Sequence, residues 1–209
     1  MTPSEWQQFL KRYSQEFLSL DWSKTIRIFS SHGAAIPEEV RRIGWMGFEP
    51  ASKAAIAAAE DRLGRRLPES LRTFYEVSNG WGMIGSSIFD LLPVERIGWL
   101  RDRDPHLYGL ACKTEAHDRP FKRDPDGSRH RFYVFEQGTQ VKRALAISSW
   151  GDAAIWLLDP GEQPHDAEWP AGMWASWVPG TEWSAASFAD LMKRELQKLV
   201  SKRERPDSA

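Results

Sequence analysis

The chain has 209 residues, 41% of them hydrophobic, and a formal net charge of −1. That is enough polypeptide for one domain with a proper core and too little charge imbalance for an overall basic, nucleic-acid-binding footprint. Cys112 is the only cysteine, which excludes an internal disulfide and a multi-thiolate metal site, and it reads as a small apolar residue.

In chain order, Ser4 followed by Gln7 fits a capping box, and Trp6, Phe9, Leu10, Tyr13 and Phe17 recur at helical spacing. Residues 4–18 are therefore expected to form an amphipathic helix docked on the main body. Residues 19–47 read as a connection, with Pro37 opening a short helix that Gly44 closes. The stretch from Ile56 to Gly80 reads as two helices meeting at a proline-closed corner. Its first helix buries Ile56, Ala59 and Leu63 and stops at Gly64; its second starts at Pro68, buries Leu71, Phe74, Tyr75 and Ser78, and ends at Asn79-Gly80. Glu60 shares the apolar stripe of the first helix, so it is expected to accept hydrogen bonds from the exposed N–H groups opening the second.

Ile88–Leu92 has strand character, and Val94–Leu100 fits one or two helical turns. Residues 101–130 are polar, charged and proline-containing, and read as a long excursion. Arg131–Glu136, Ala144–Ser148 and Ala153–Leu158 read as strands, the last two forming a hairpin across Ser149-Trp150-Gly151-Asp152. Both hairpin strands are apolar at nearly every position, which places them centrally in a sheet covered on both faces. The segment Trp169–Trp183 can add one strand, and a final helix from about Ser184 buries Phe188, Leu191, Met192, Leu196 and Leu199. Residues 201–209 read as a disordered tail.

Charge is unevenly distributed. Residues 144–192 contain seven acidic residues, no lysine or arginine, and six of the eleven tryptophans. Two readings follow. The segment is an interface where acidic and aromatic side chains meet a basic partner, or it is a tryptophan core with acidic turns paired to the basic segment before it.

Catalytic motifs are wanting. Gly80-Trp81-Gly82-Met83-Ile84-Gly85 matches a dinucleotide-binding pattern, but a helix precedes it and a strand follows, the reverse of what the pyrophosphate needs. Glu115, His117, Asp118, Asp124, Asp126 and His130 could in principle collect a divalent ion, yet they fit a solvated loop better. The residues thus give no catalytic, cofactor or metal assignment. Without a signal peptide or an apolar span, the expected location is the cytoplasm, with neither nucleic acid nor membrane as partner.

Glu60 with Leu63-Gly64, Leu67-Pro68, Phe74-Tyr75 and Ser78-Asn79-Gly80 resembles the signature of the SUKH superfamily, the Smi/Knr-type domain. The resemblance continues through Leu91-Leu92-Pro93-Val94, Ile97-Gly98-Trp99, Ser149-Trp150-Gly151-Asp152, Leu158-Asp159-Pro160, Trp177-Val178-Pro179-Gly180 and Ser187-Phe188. It implies an α+β fold, helices on a mainly antiparallel sheet, spanning residues 44–200 after an N-terminal helix and connection at 1–43. It also implies a non-enzymatic binding protein. Bacterial members resemble immunity proteins that neutralise a cognate toxin of nuclease or deaminase class, whereas fungal relatives serve signalling, so a regulatory scaffold is the alternative. On this view Glu60, Leu63, Gly64, Leu67, Pro68, Asn79 and Gly80 are structural. Asp152, Glu162, Asp166 and Glu168 are expected to supply charge to a protein partner, with Trp169 and Trp174 as anchors.

Overall fold

The computed structural model describes residues 1–20, 36–85, 90–115, 138–161, 167–177 and 180–204. Helix α1 (Pro3–Ser19) opens with a capping box, but Thr2 and Glu5 form it in place of Ser4 and Gln7. Glu5 N donates to Thr2 Oγ1 at 3.3 Å, and the Glu5 carboxylate accepts the Thr2 amide at 2.7 Å. Pro3 explains the choice, since a proline with no N–H to satisfy suits the first helical position and leaves Thr2 as the cap. Helix α2 (Glu38–Ile43) follows Pro37 and closes at Gly44 in the left-handed conformation, as expected.

Helix α3 (Lys53–Leu63) starts from Ser52, whose hydroxyl accepts the Ala55 amide, and ends at Gly64 with φ +64°. It buries Ile56, Ala59 and Leu63. Helix α4 (Glu69–Tyr75) is short and almost wholly buried. Its chain leaves through Ser78-Asn79-Gly80, a knot of hydrogen bonds. Ser78 Oγ accepts from Phe48 N and donates to the Gly80 carbonyl, while Asn79 Oδ1 accepts from Val94 N at 2.8 Å. Gly80 sits at φ +104°, and a Cβ there would come within 2.9 Å of the Leu91 carbonyl oxygen. The glycine is needed for both conformation and space.

Strands β1 (Trp81–Gly82) and β2 (Asp90–Leu91) pair antiparallel as a small sheet. The main sheet is antiparallel throughout, in the order β3 (Gly98–Trp99), β4 (Leu145–Ala146), β5 (Ala154–Leu158), β6 (Ala171–Ala175) and β7 (Gly180–Ala185). The segment 94–100, expected as helical turns, instead holds strand β3, because Gly98 and Trp99 pair with Ala146 and Leu145, and helix begins only at Leu100. The tryptophan-rich stretch contributes two strands where one was expected. Strand β5 lies at the centre of the sheet and is buried at every position.

Both faces of β5 are covered, as its composition demands. On one face Ala154, Trp156 and Leu158 join the principal core with α1, α3, α4 and the last helix, α8 (Phe188–Glu204). Helix α1 packs on α4 and α8, and α8 packs on β6 and β7. Trp6 is central here: its ring meets Phe74 edge-on at 5.4 Å, and its Nε1 donates to the Ser70 carbonyl at 3.1 Å. On the other face Ile155 and Leu157 pack with Leu100, Leu107, Ala111 and Val141. These come from α5 (Leu100–Arg103), α6 (Pro105–Thr114) and α7 (Gly138–Arg143). The described part of the expected 101–130 excursion, residues 101–115, is mainly helical, and α5 and α6 join α7 from beyond it in a three-helix cover.

Helix α8 continues to Glu204, so residues 201–204, expected in the tail, are helical. The strand expected at Arg131–Glu136 lies outside the described residues. Cys112 is exposed on α6 and not an interior residue. The fold class is α+β, and no helix among the described residues is long and apolar enough to cross a membrane.

Candidate functional site

The α3–α4 corner is a frame. Glu60 Oε1 accepts the Leu67 amide at 3.0 Å and lies 3.5 Å from Arg72 Nε, tying the end of α3 to both the entry and the body of α4. Leu63, Leu67 and Pro68 are buried in the seam, and Gly64 turns the chain between them. The expected clamp is present, with its donor one residue ahead of Pro68. No open cleft is needed to explain the carboxylate.

The acidic, tryptophan-rich segment divides into a buried part and an exposed part. Trp169 has no exposed surface; it stacks on Trp99 and carries the Arg65 guanidinium 5.3 Å from its ring centre. Glu168, expected to face a partner, turns inward. Its carboxylate accepts from Ser70 N at 2.7 Å and Ser70 Oγ at 2.6 Å, and so caps α4 from the segment leading into β6. Trp169 therefore offers no surface to a partner, and the half-buried Glu168 carboxylate is engaged by Ser70. Glu162 and Asp166 lie outside the described residues.

The exposed part gathers at the end of the sheet where β5 begins and β6 ends. Ala154 pairs with Ala175, so the turn Trp150–Ala153 and the pair Ser176–Trp177 leave from the same edge. Trp150 is 39% exposed and Trp177 49%. Trp150 meets the half-buried Trp174 edge-on at 5.6 Å, and its Nε1 donates to Asp104 Oδ2 at 2.9 Å. The second Asp104 oxygen accepts the Leu107 amide at 2.8 Å, capping α6. Thus one carboxylate orients the indole while anchoring the helical cover. Asp152 is exposed at the tip of the same turn, and Ala153 follows in the left-handed conformation at φ +47°.

Of the six expected partner-facing residues, Asp152 and Trp174 lie at the same end of the sheet, where Trp150 and Trp177 are also found. Sequence reasoning counted these two among the clustered tryptophans without singling them out. Their signal was position: each lies in a turn beyond a strand end, where a large apolar ring has least opportunity for burial. Of the tryptophans within strands, Trp156 and Trp183 are buried, whereas Trp99 and Trp174 are half-buried.

Chemistry is thin elsewhere. Among the described residues no group of three or more His, Cys, Asp or Glu side chains could hold a metal ion. Of the possible 115–130 ligand set only Glu115 is described, and it is paired with Lys142 at 2.6 Å.

No curated protein matches the chain. The profile of the SMI1 / KNR4 family (SUKH-1) matches residues 50–194, from the loop before α3 to the middle of α8. That span takes in the Glu60 corner, the Ser78–Gly80 knot and all five strands of the main sheet, and the chain belongs to the SMI1 / KNR4 family (SUKH-1).

Proposed function

We propose that this chain is a non-enzymatic protein-binding domain that neutralises a cognate toxin, of nuclease or deaminase class, by forming a stoichiometric complex with it in the cytoplasm. One observation carries the binding reading: Trp150 and Trp177 are exposed at the same end of the sheet as the exposed Asp152. Large aromatic rings left in solvent forgo burial that the fold could otherwise use, and tryptophan dominates the energetics of protein interfaces. Trp174 and Asp104 hold Trp150 in place, so little ordering cost remains for association.

Charge supports the choice of toxin class. Residues 144–192 contain no lysine or arginine, and enzymes acting on nucleic acids present basic surfaces to their substrate. Asp152 supplies complementary acid at this surface. Membership in the SUKH-1 family supports a non-catalytic role.

The test is co-expression with toxins encoded beside this gene, scored as rescue of growth. Wild type should rescue, and Trp150→Ala with Trp177→Ala should abolish rescue and weaken the purified complex by about 2 kcal/mol or more. Asp152→Lys should slow association and reduce its salt dependence. Full rescue by the double variant would remove this surface from the interface, and rescue from no neighbouring toxin would remove the function.

A further inference from the structure

The tryptophan surface carries a more specific chemistry than aromatic area alone. Trp150 turns the one polar atom of its side chain, Nε1, to Asp104, so the ring surface it leaves in solvent is carbon. Trp177 is exposed as well and makes no ring contact or side-chain hydrogen bond among the described residues. The backbone ties the two exits together. Ser176 N donates to the Ala153 carbonyl at 3.0 Å, which sets Trp177 and Asp152 each one residue from that bond. The result is open indole surface at the same end of the sheet as an open carboxylate.

The negative charge here is left uncancelled. Asp104 gives both oxygens to uncharged donors, the Trp150 indole N–H and the Leu107 amide. Asp152 is exposed and has no partner among the described residues. A third acid, Asp90, is exposed on β2 and pairs its backbone with Ser149, one residue before Trp150. No described lysine or arginine forms an ion pair with any of the three. Arg103, next to Asp104 in the chain, lays its aliphatic stem along Gly98 of β3, 3.0 Å from where a Cβ there would sit. A carboxylate on the indole N–H also polarises the ring and strengthens the negative potential of its faces.

We infer that this surface takes arginine side chains of a partner polypeptide, stacked on the exposed indoles and bonded to Asp152. The inference rests on the tryptophan surface being the binding surface proposed above, and it names the chemistry that surface prefers. A cation over an indole face is attracted by the ring quadrupole, and tryptophan is the strongest acceptor of this kind. A guanidinium is flat and weakly hydrated, so it can stack on an indole and fork onto a carboxylate at once. An ammonium is compact and strongly hydrated, and it does neither as well. Other occupants fit worse. In a two-fold contact a second copy of the chain would bring this acidic patch against itself. An anionic membrane or a nucleic acid would meet the same uncancelled acid.

The experiment titrates the isotope-labelled full-length chain with a short, otherwise uncharged peptide carrying arginines, and reads the indole N–H resonances of Trp150 and Trp177. Peptides with lysine or citrulline in place of arginine serve as comparison probes, citrulline keeping the planar shape without the charge. The arginine peptide should shift both resonances saturably and at lower concentration than the lysine peptide, and added salt should weaken it. The citrulline peptide should leave them in place. Asp152→Asn and Trp177→Ala, both at exposed positions, should each weaken binding about threefold, the effect of one exposed ion pair or cation–π contact. Asp61→Asn removes the same charge from an exposed site on α3 and should leave affinity unchanged. Equal or tighter binding of the lysine or citrulline peptide, equal affinity across the variants, or no shift at either indole would each overturn the proposal. A sedimenting mass that rises with concentration and is restored to the single chain by Trp177→Ala would give the surface to a second copy and overturn it too. No toxin enters the measurement, so loss of the arginine preference and loss of growth rescue are separate results.

Discussion

Glu60 Oε1 accepts the buried Leu67 amide, and Arg72 has a second carboxylate, Glu76, at 3.6 Å. Removing Glu60 therefore orphans the amide more than the guanidinium. Glu60→Ala should cost about 1–3 kcal/mol, the penalty for a buried donor left without an acceptor, whereas Glu60→Gln keeps an oxygen in place and should recover part of it. Urea denaturation measures both, and an unshifted midpoint in the alanine variant would end the clamp assignment. Two tyrosines give the fold a pH limit. Burial pushes the Tyr13 and Tyr75 phenols well above their ordinary range, with Glu195 and Glu95 adding to it. Each hydroxyl donates to a backbone carbonyl, Tyr13 to Ile84 and Tyr75 to Leu92. The folded state keeps its phenol protons at a pH where the unfolded chain, titrating at about 10, has lost them. Their contribution to stability is therefore complete below about pH 10 and falls above it, by the general slope of about 1.4 kcal/mol per pH unit for each group. Tyr13→Phe with Tyr75→Phe should flatten that alkaline decline in a series of urea melts. An unchanged slope would show that other groups control it.

The helical cover α5–α7 shows where sequence stops speaking for elements. That β5 needed cover on both faces was legible from five consecutive apolar residues, but the identity of the cover was not. Its anchors, Leu100, Leu107, Ala111 and Val141, are one or two per helix, spread across three short helices and separated by charge and proline. A window long enough to reveal amphipathic period never contains enough of them. By contrast α1, α3 and α8 each repeat apolar residues over several turns, and the expected stripes are buried apart from the partly exposed Phe9 of α1. The binding site follows the same division. Clustering of tryptophan and acid was visible in the sequence, but which rings face solvent depends on the β5–β6 register, and Trp169 and Glu168 turn inward through contacts about a hundred residues away. Sparse anchoring also predicts fragility. Leu107→Ala should cost about 2–5 kcal/mol, as for other buried leucines. Because so few other residues hold the cover, it should also expose the second face of the sheet. Greater binding of an apolar dye and faster amide exchange in α6 than in α1 would be the signatures. Exchange that accelerates equally in both helices would mean the cover has no independent opening.

At the scale of the whole molecule, the family match begins at residue 50, whereas the principal core begins at residue 6. Trp6, Leu10, Tyr13 and Phe17 are each fully buried, and α1 lies against both α4 and α8. Polar ties reinforce the packing: Ser14 Oγ accepts the Met46 amide at 3.2 Å, and Arg203 at the far end of α8 pairs with Glu16. Burying a large apolar side chain is worth about 1.5–3 kcal/mol, and four of them together rival the 5–15 kcal/mol margin of an ordinary domain. A chain starting at residue 44 keeps every family motif and should nevertheless lose cooperative unfolding, because Phe74, Trp81 and Phe188 would face water where Trp6 and Tyr13 now cover them. A peptide of residues 1–20 added in trans should restore a sigmoidal thermal transition, with a midpoint that rises with peptide concentration as mass action requires. Should the shortened chain melt as sharply and at the same temperature as the full one, α1 would be an appendage, and the structural unit would coincide with the family match.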